Sequence, residues 1–315
     1  MTEFLLGLLD YYLVLLSGLL FGFGYLLLTL RRVPSSNLQS PHPSPIESTP
    51  LNLCAQRQLS HNTSHSSSQS YPLSYYVIRH GERQHLAESR GGKSNSKPFL
   101  NDSLTNLGRQ QAEATGLYLR ELLKGKRSLL VLTSPMLRTV QTASIMARVL
   151  SEGKGPLSVP SVELAIECSL MEYLSEGIYP VRPTRLPTHP FPDADKLRLC
   201  TRYRPLLCDR EVCAFYPETP AALERRAALI LDGIQGAWDH VILVTHSHLC
   251  AAFARVCSGL NSPLRSAQGF QCKYCSVTSL RRLPLVKEVP EGTQNTMRLS
   301  GSTVIVSAFA QTAHV

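Results

Sequence analysis

Three short clusters in this chain hold the residue types that handle a doubly charged anion. They are Arg79-His80-Gly81-Glu82-Arg83, Thr133-Ser134-Pro135-Met136-Leu137-Arg138 and Thr245-His246-Ser247-His248. Arginine offers a planar fork of donors that fits phosphate oxygens and stays charged at any working pH. A phosphoryl group in transfer needs its oxygens neutralised and its attacker aligned. Imidazole can be that attacker when its second nitrogen is held as N–H by an acceptor. Gly81 directly after His80 permits a tight backbone turn, so that a carbonyl there could orient the ring. The chain has no Walker-type glycine loop, which leaves nucleotide binding without support.

Each cluster directly follows a short apolar run, and that placement makes the three a set. Tyr75-Tyr76-Val77-Ile78, Leu129-Leu130-Val131-Leu132 and Val241-Ile242-Leu243-Val244 read as buried strands. Helices are expected over Leu104–Leu123, Arg138–Leu150, Ala221–Ile234 and Leu249–Cys257. Val162–Ala165, Cys275–Leu283 and Ser302–Ala308 read as further strands. Strands alternating with helices predict an α/β fold, a largely parallel sheet with helices on both faces. Ligands of such sheets bind beyond the carboxyl ends of the strands, where all three clusters fall.

In motif, the chain resembles the histidine phosphatase, or phosphoglycerate mutase-like, superfamily. The resemblance rests on Arg79-His80-Gly81, on Leu104-Thr105-Asn106-Leu107-Gly108 with Gln111-Ala112, on Thr133-Ser134-Pro135 with Arg138 and Gln141-Thr142-Ala143, and on Val244-Thr245-His246. The full R-H-G-E-R is most similar to the suppressor-of-T-cell-receptor-signalling tyrosine phosphatases and the ecdysteroid-phosphate phosphatases. The resemblance implies a three-layer α/β/α domain over 75–315 and hydrolysis of a phosphomonoester, on a phosphoprotein or a small molecule. It implies His80 as the nucleophile, Arg79, Arg83 and Arg138 as phosphate ligands, and His246 as the stabiliser of the transferring oxygens. Glu172, in Glu167-Cys168-Ser169-Leu170-Met171-Glu172-Tyr173, matches the acid that protonates the leaving oxygen, with Glu82 as runner-up. No metal and no cofactor is called for, because arginines supply the charge that a cation would otherwise bring.

The chain departs from other branches of that superfamily. Arg83-Gln84-His85 stand where the sugar-phosphate mutases carry Ser/Thr and Asn, and His246-Ser247 stands where the acid phosphatases carry His-Asp. A mutase or bisphosphatase, or a silent phosphate-binding scaffold, is the alternative reading. His248 reads as a helix-start or surface residue, and Ser247 as a helix cap. The Pro- and Arg-rich stretch 175–220 reads as a lid-like insertion or a plain surface loop. Its Arg182, Arg185, Arg198, Arg202 and Arg204 suit an acidic substrate or a solvated surface equally.

Two segments precede the domain. From Tyr11 to Leu30 there is no charged residue, enough apolar chain to span a bilayer. Residues 1–32 are therefore expected to be a single-pass transmembrane helix. Arg31 and Arg32 just after it predict a cytoplasmic catalytic domain. Residues 33–74, with Pro41, Pro43, Pro45 and Pro50 and a run of polar residues, read as a disordered linker. The formal net charge of +9 comes without a basic run interleaved with aromatics, so no nucleic-acid partner is expected. The nine cysteines are irregularly spaced and read as free thiols. Cys272 and Cys275 form a C-x-x-C with no second pair at zinc spacing.

Overall fold

The computed structural model describes residues 72, 74–84, 101–126, 128–152, 161–236, 238–258, 272–283, 298–299, 302–312 and 314–315. The expected anchor, 1–32, and the linker, 33–74, lie outside the described residues, apart from the linker's last few. Among the described residues no helix is long and apolar enough to cross a membrane.

The strands are β1 (Ser74–Arg79), β2 (Leu129–Thr133), β3 (Val162–Ile166), β4 (His240–Thr245), β5 (Val277–Leu283), β6 (Arg298–Leu299) and β7 (Ser302–Gln311). The helices are α1 (Asn106–Leu122), α2 (Leu137–Ser151), α3 (Asp209–Cys213), α4 (Pro220–Gly233) and α5 (Ser247–Val256). The sheet runs β3-β2-β4-β1-β5-β7-β6. β3, β2, β4 and β1 pair in parallel, whereas β5, β7 and β6 pair antiparallel. The expected largely parallel sheet is thus a mixed one. Its parallel half carries all three chemical clusters.

Side chains of a strand alternate between faces, and the core obeys that rule strand by strand. Tyr75, Val77, Leu130, Leu132, Val241 and Leu243 point to the face covered by α4 and α5. Tyr76, Ile78, Leu129, Val131, Ile242 and Val244 point to the face covered by α1 and α2. Three layers result, as the sequence pattern implies. Strands buried on both faces read as unbroken apolar runs, which is why β1, β2 and β4 were legible without alternation.

The 175–220 stretch divides its work. Its middle runs beside β3: Leu164 N–H donates to Arg198 O at 3.0 Å and Cys200 N–H donates to Leu164 O at 2.9 Å. Its two ends pack Tyr179, Leu186, Leu207 and Val212 against Met136, Met171 and Leu174, which flank the site. Arg198 and Arg202 are paired with Glu163, at 3.6 and 2.9 Å. These two arginines brace the sheet edge.

Candidate active site

Neighbouring strands deliver the site in order. His80 follows β1, His246 follows β4, Ser134 follows β2, and the loop to Glu172 follows β3. The ladder continues one residue past the strands: His80 N–H donates to Thr245 O and Ser134 N–H to Val244 O, both at 3.0 Å. Registers of adjacent strands therefore place the side chains of His80, His246 and Ser134 side by side. Arg138, on the first turn of α2, reaches into the same space.

His80 is 3% exposed. Its Nδ1 lies 2.7 Å from the Gly81 carbonyl, which can only accept, so Nδ1 carries the hydrogen and Nε2 a lone pair. Arg138 Nε donates to that Nε2 at 3.2 Å. Burial, reinforced by the positive charges of Arg138 and Arg79, holds His80 well below the usual histidine range. The ring is thus neutral and nucleophilic. His246 stands edge-on to it, ring centroids 5.3 Å apart. His246 Nε2 is 2.9 Å from Ser134 Oγ, and its Nδ1 is 3.1 Å from Arg138 Nη2 and 3.3 Å from Glu172 Oε2. Burial pushes His246 down to about 4, with Glu172 pulling the other way.

Glu172 Oε2 lies 3.3 Å from Arg138 Nη2. Burial pushes the Glu172 carboxyl up, but His246, His248 and Arg138 outweigh it and hold it well below the usual carboxylate range. These cations hold the carboxyl as the anion, and a second anion drawn to the same cations would raise its affinity for a proton.

The remaining motif residues build the frame. A β-carbon on Gly81 would sit 2.4 Å from Gly108 O, and one on Gly108 would sit 2.2 Å from Glu82 O, so both glycines permit a backbone crossing. Gln111 accepts from Glu82 N–H at 2.9 Å, Gln141 from Leu104 N–H at 2.8 Å, and Thr142 from Gly81 N–H at 3.1 Å. Glu82 is occupied at the start of α1, where its carboxylate accepts from Thr105 Oγ1 at 3.0 Å. Arg83 lies 3.5 Å from Asp102, at the margin of the cluster.

Arg79 is held by the turn containing the C-x-x-C. Its Nη1 donates to Cys272 O at 2.6 Å, its guanidinium stacks 4.0 Å over Tyr274, and Cys275 N–H donates to Arg79 O at 3.0 Å. All eight described cysteines are free thiols, and the turn works through its backbone and Tyr274. A cavity of about 400 Å³ lined by Arg79, Gln111, Lys273 and Tyr274 adjoins this arginine. A second cavity, about 600 Å³, is lined by Cys168, Arg185, Leu207 and Asp209 and contains none of the expected site residues.

Sequence reasoning gives no role to two participants. One is Ser134, which sequence pattern shows only as part of a motif. His248 is at the start of α5 with an exposed side chain, as expected, and from there its Nδ1 lies 3.6 Å from Glu172 Oε1; the second is Arg226. Arg226 is wholly buried and grips the Glu172 loop: it donates to Ser169 O and Met171 O, each at 2.7 Å, and to both oxygens of Glu218. Its one sequence signal is a charge among the buried Leu223, Ala227 and Ile230 of α4.

Residues 75–172 match the histidine phosphatase superfamily, branch 1. No curated protein matches the chain. Among solved structures it is similar to the ecdysone phosphate phosphatase of Bombix mori, with 19% identity, 66% of this chain and 88% of that chain covered, and a TM-score of 0.41. It is similar to a phosphoserine phosphatase of Entamoeba histolytica, with 16% identity, 76% and 98% covered, and a TM-score of 0.41. A mycobacterial glucosyl-3-phosphoglycerate phosphatase shows 16% identity, 76% and 99% covered, and a TM-score of 0.42. The matched stretch carries His80, Ser134, Arg138 and Glu172 and is similar to the histidine phosphatase superfamily.

Proposed function

We propose that the protein is a phosphomonoester hydrolase that works through a phosphohistidine on His80. The observation that carries this reading is the His80 ring, with Nδ1–H tied to Gly81 O and Nε2 aimed at Arg138 beside His246. Arg79, Arg83 and Arg138 hold the phosphate oxygens, and the substrate displaces the Arg138 contact from Nε2. Nε2 then attacks phosphorus while the ester P–O bond breaks. Glu172, protonated once the dianion is bound, gives its proton to the leaving oxygen. Gly81 O steadies the positive charge that the phosphorylated ring acquires. Water then attacks phosphorus as the Nε2–P bond breaks and its electron pair returns to Nε2, Glu172 takes up the water's proton, and His246 with Arg138 stabilises the oxygens through both steps. No metal or cofactor has a role in this sequence.

The test is hydrolysis of para-nitrophenyl phosphate and a phosphotyrosine peptide by the full-length chain in detergent, with EDTA, beside His80→Ala. Turnover is expected to survive EDTA, vanish in His80→Ala, and pass through an acid-labile, base-stable phosphoenzyme. Turnover persisting in His80→Ala would remove the nucleophile. Absence of turnover on both substrates by the folded wild type would favour a phosphate-binding scaffold. The reading also anchors the enzyme in a bilayer through 1–32, with the domain cytoplasmic, on the strength of the apolar run and Arg31-Arg32. Release of the full-length chain from membranes by alkaline carbonate would count against that anchor.

A further inference from the structure

The two oxygens of Glu172 face different surroundings. Oε2 points inward, at 3.3 Å from both Arg138 Nη2 and His246 Nδ1. Oε1 points outward, at 3.6 Å from His248 Nδ1. The Glu172 side chain is 14% exposed, whereas that of His248 is 52% exposed. His248 is the second residue of α5, and its ring lies 5.3 Å from that of Tyr173. The carboxylate therefore bridges a sealed imidazole and one in contact with water.

This matters because Arg138 and His246 hold Glu172 as the anion, so an acid role requires a proton to reach it as substrate binds. Its inner neighbours are poor sources. Arginine does not give up a proton at working pH, and His246 is fully buried. An imidazole can give and take a proton through its two nitrogens, and that of His248 reaches water.

We propose that His248 is the proton-delivery residue of this site, passing protons between solvent and Glu172 Oε1. The inference rests on the phosphohydrolase reading given above. In the first half-reaction a proton leaves His248 Nδ1 for Oε1, and His248 takes another from water. Glu172 then protonates the leaving oxygen as the P–O bond breaks and the Nε2–P bond forms. In the second half-reaction the water oxygen bonds to phosphorus as the Nε2–P bond breaks and its electron pair returns to Nε2, and the water's proton travels out through Glu172 and His248. The sum is one ester and one water giving one alcohol and one phosphate. The charged and titratable groups around this path are His246, Arg138 and Tyr173, then Arg226 with Glu218, and the Glu224–Arg255 pair joining α4 to α5. Of the two imidazoles on this carboxylate His246 is fully buried, so His248 is the solvent-facing one.

The experiment compares two substrates on the full-length protein. Para-nitrophenolate leaves without a proton, whereas the alkoxide of glycerol 2-phosphate needs one. His248→Gln keeps a side chain of similar reach but cannot carry the proton. It is expected to lower kcat on glycerol 2-phosphate by on the order of tenfold or more, and far less on para-nitrophenyl phosphate. Added imidazole is expected to restore His248→Ala on glycerol 2-phosphate. The basic limb of the wild-type pH profile on that substrate is expected to change shape in His248→Gln. Glu172→Gln separates the two levels of the claim. If Glu172→Gln is selective for the poor leaving group and His248→Gln is not, the delivery role is overturned while the acid role stands. If Glu172→Gln slows both substrates equally, the acid role itself fails. Failure of imidazole to rescue His248→Ala would mark His248 as structural.

Discussion

Replacing Arg226 by methionine is expected to unfasten the loop that carries Glu172. The guanidinium donates to both Glu218 oxygens at 2.8 and 2.7 Å, and to the carbonyls of Ser169, Met171 and Glu172 at 2.7, 2.7 and 3.3 Å. Both partners of the ion pair are wholly excluded from solvent, so water does not screen it. Removing one side of such a pair leaves a carboxylate buried without its counter-charge, at about 3–5 kcal/mol. In a domain of this size each kcal/mol is about 2–4 °C of melting temperature, so Arg226→Met should melt on the order of 10 °C lower. The double variant Arg226→Met/Glu218→Leu removes the orphaned charge as well. It should be no worse than the poorer single variant, a coupling of about 2–3 kcal/mol. Urea unfolding of the four proteins measures that coupling. Kinetics on glycerol 2-phosphate should show a deeper loss than on para-nitrophenyl phosphate, because it is the acid that is displaced. A melting shift below about 3 °C, or strict additivity of the two single variants, would refute the clamp.

Two further outcomes follow from the same contacts. His246 sits at about 4 in the folded protein, against about 6.5 in an unfolded chain, so between those values the unfolded state binds more protons. Stability should fall by about 3 kcal/mol as pH drops from 7 to 4 on this account alone. His246→Gln should flatten that slope in urea titrations, and an unchanged slope would contradict the burial of a neutral ring. Gly108→Ala places a methyl 2.2 Å from the Glu82 carbonyl, which is backbone and cannot swing aside. It should cost about 1–3 kcal/mol or more and displace the His80 loop. Gly177→Ala, with its nearest atom 4.0 Å away, is the silent control in the same thermal and kinetic assay.

The parallel half of the fold was legible because β1, β2 and β4 are buried on both faces and read as unbroken apolar runs. The antiparallel half was harder, since β5 alternates buried and exposed positions and its partners are distant in the chain. Of the 175–220 stretch, composition conveyed only irregularity. Its role beside β3 depends on backbone hydrogen bonds between Leu164 and residues 198–200, which have no composition of their own.

For the site, the order of residues along the chain determined a great deal. His80, Arg138 and His246 each follow an apolar run, and parallel strands bring their carboxyl ends to one edge whatever the details of packing. Only the tertiary structure decided which nitrogen of His80 is free, because that depends on where the Gly81 carbonyl points. It decided likewise that Glu82 braces α1 while Glu172 enters the cluster, since both are glutamates after strands in the sequence. Arg226 and His248 lie 54 and 76 residues beyond Glu172, and their contacts arise from the packing of α4 and α5 on the sheet. Local pattern reports which residues sit at a strand end, while pairwise charge and hydrogen bonding across the fold report what they do there.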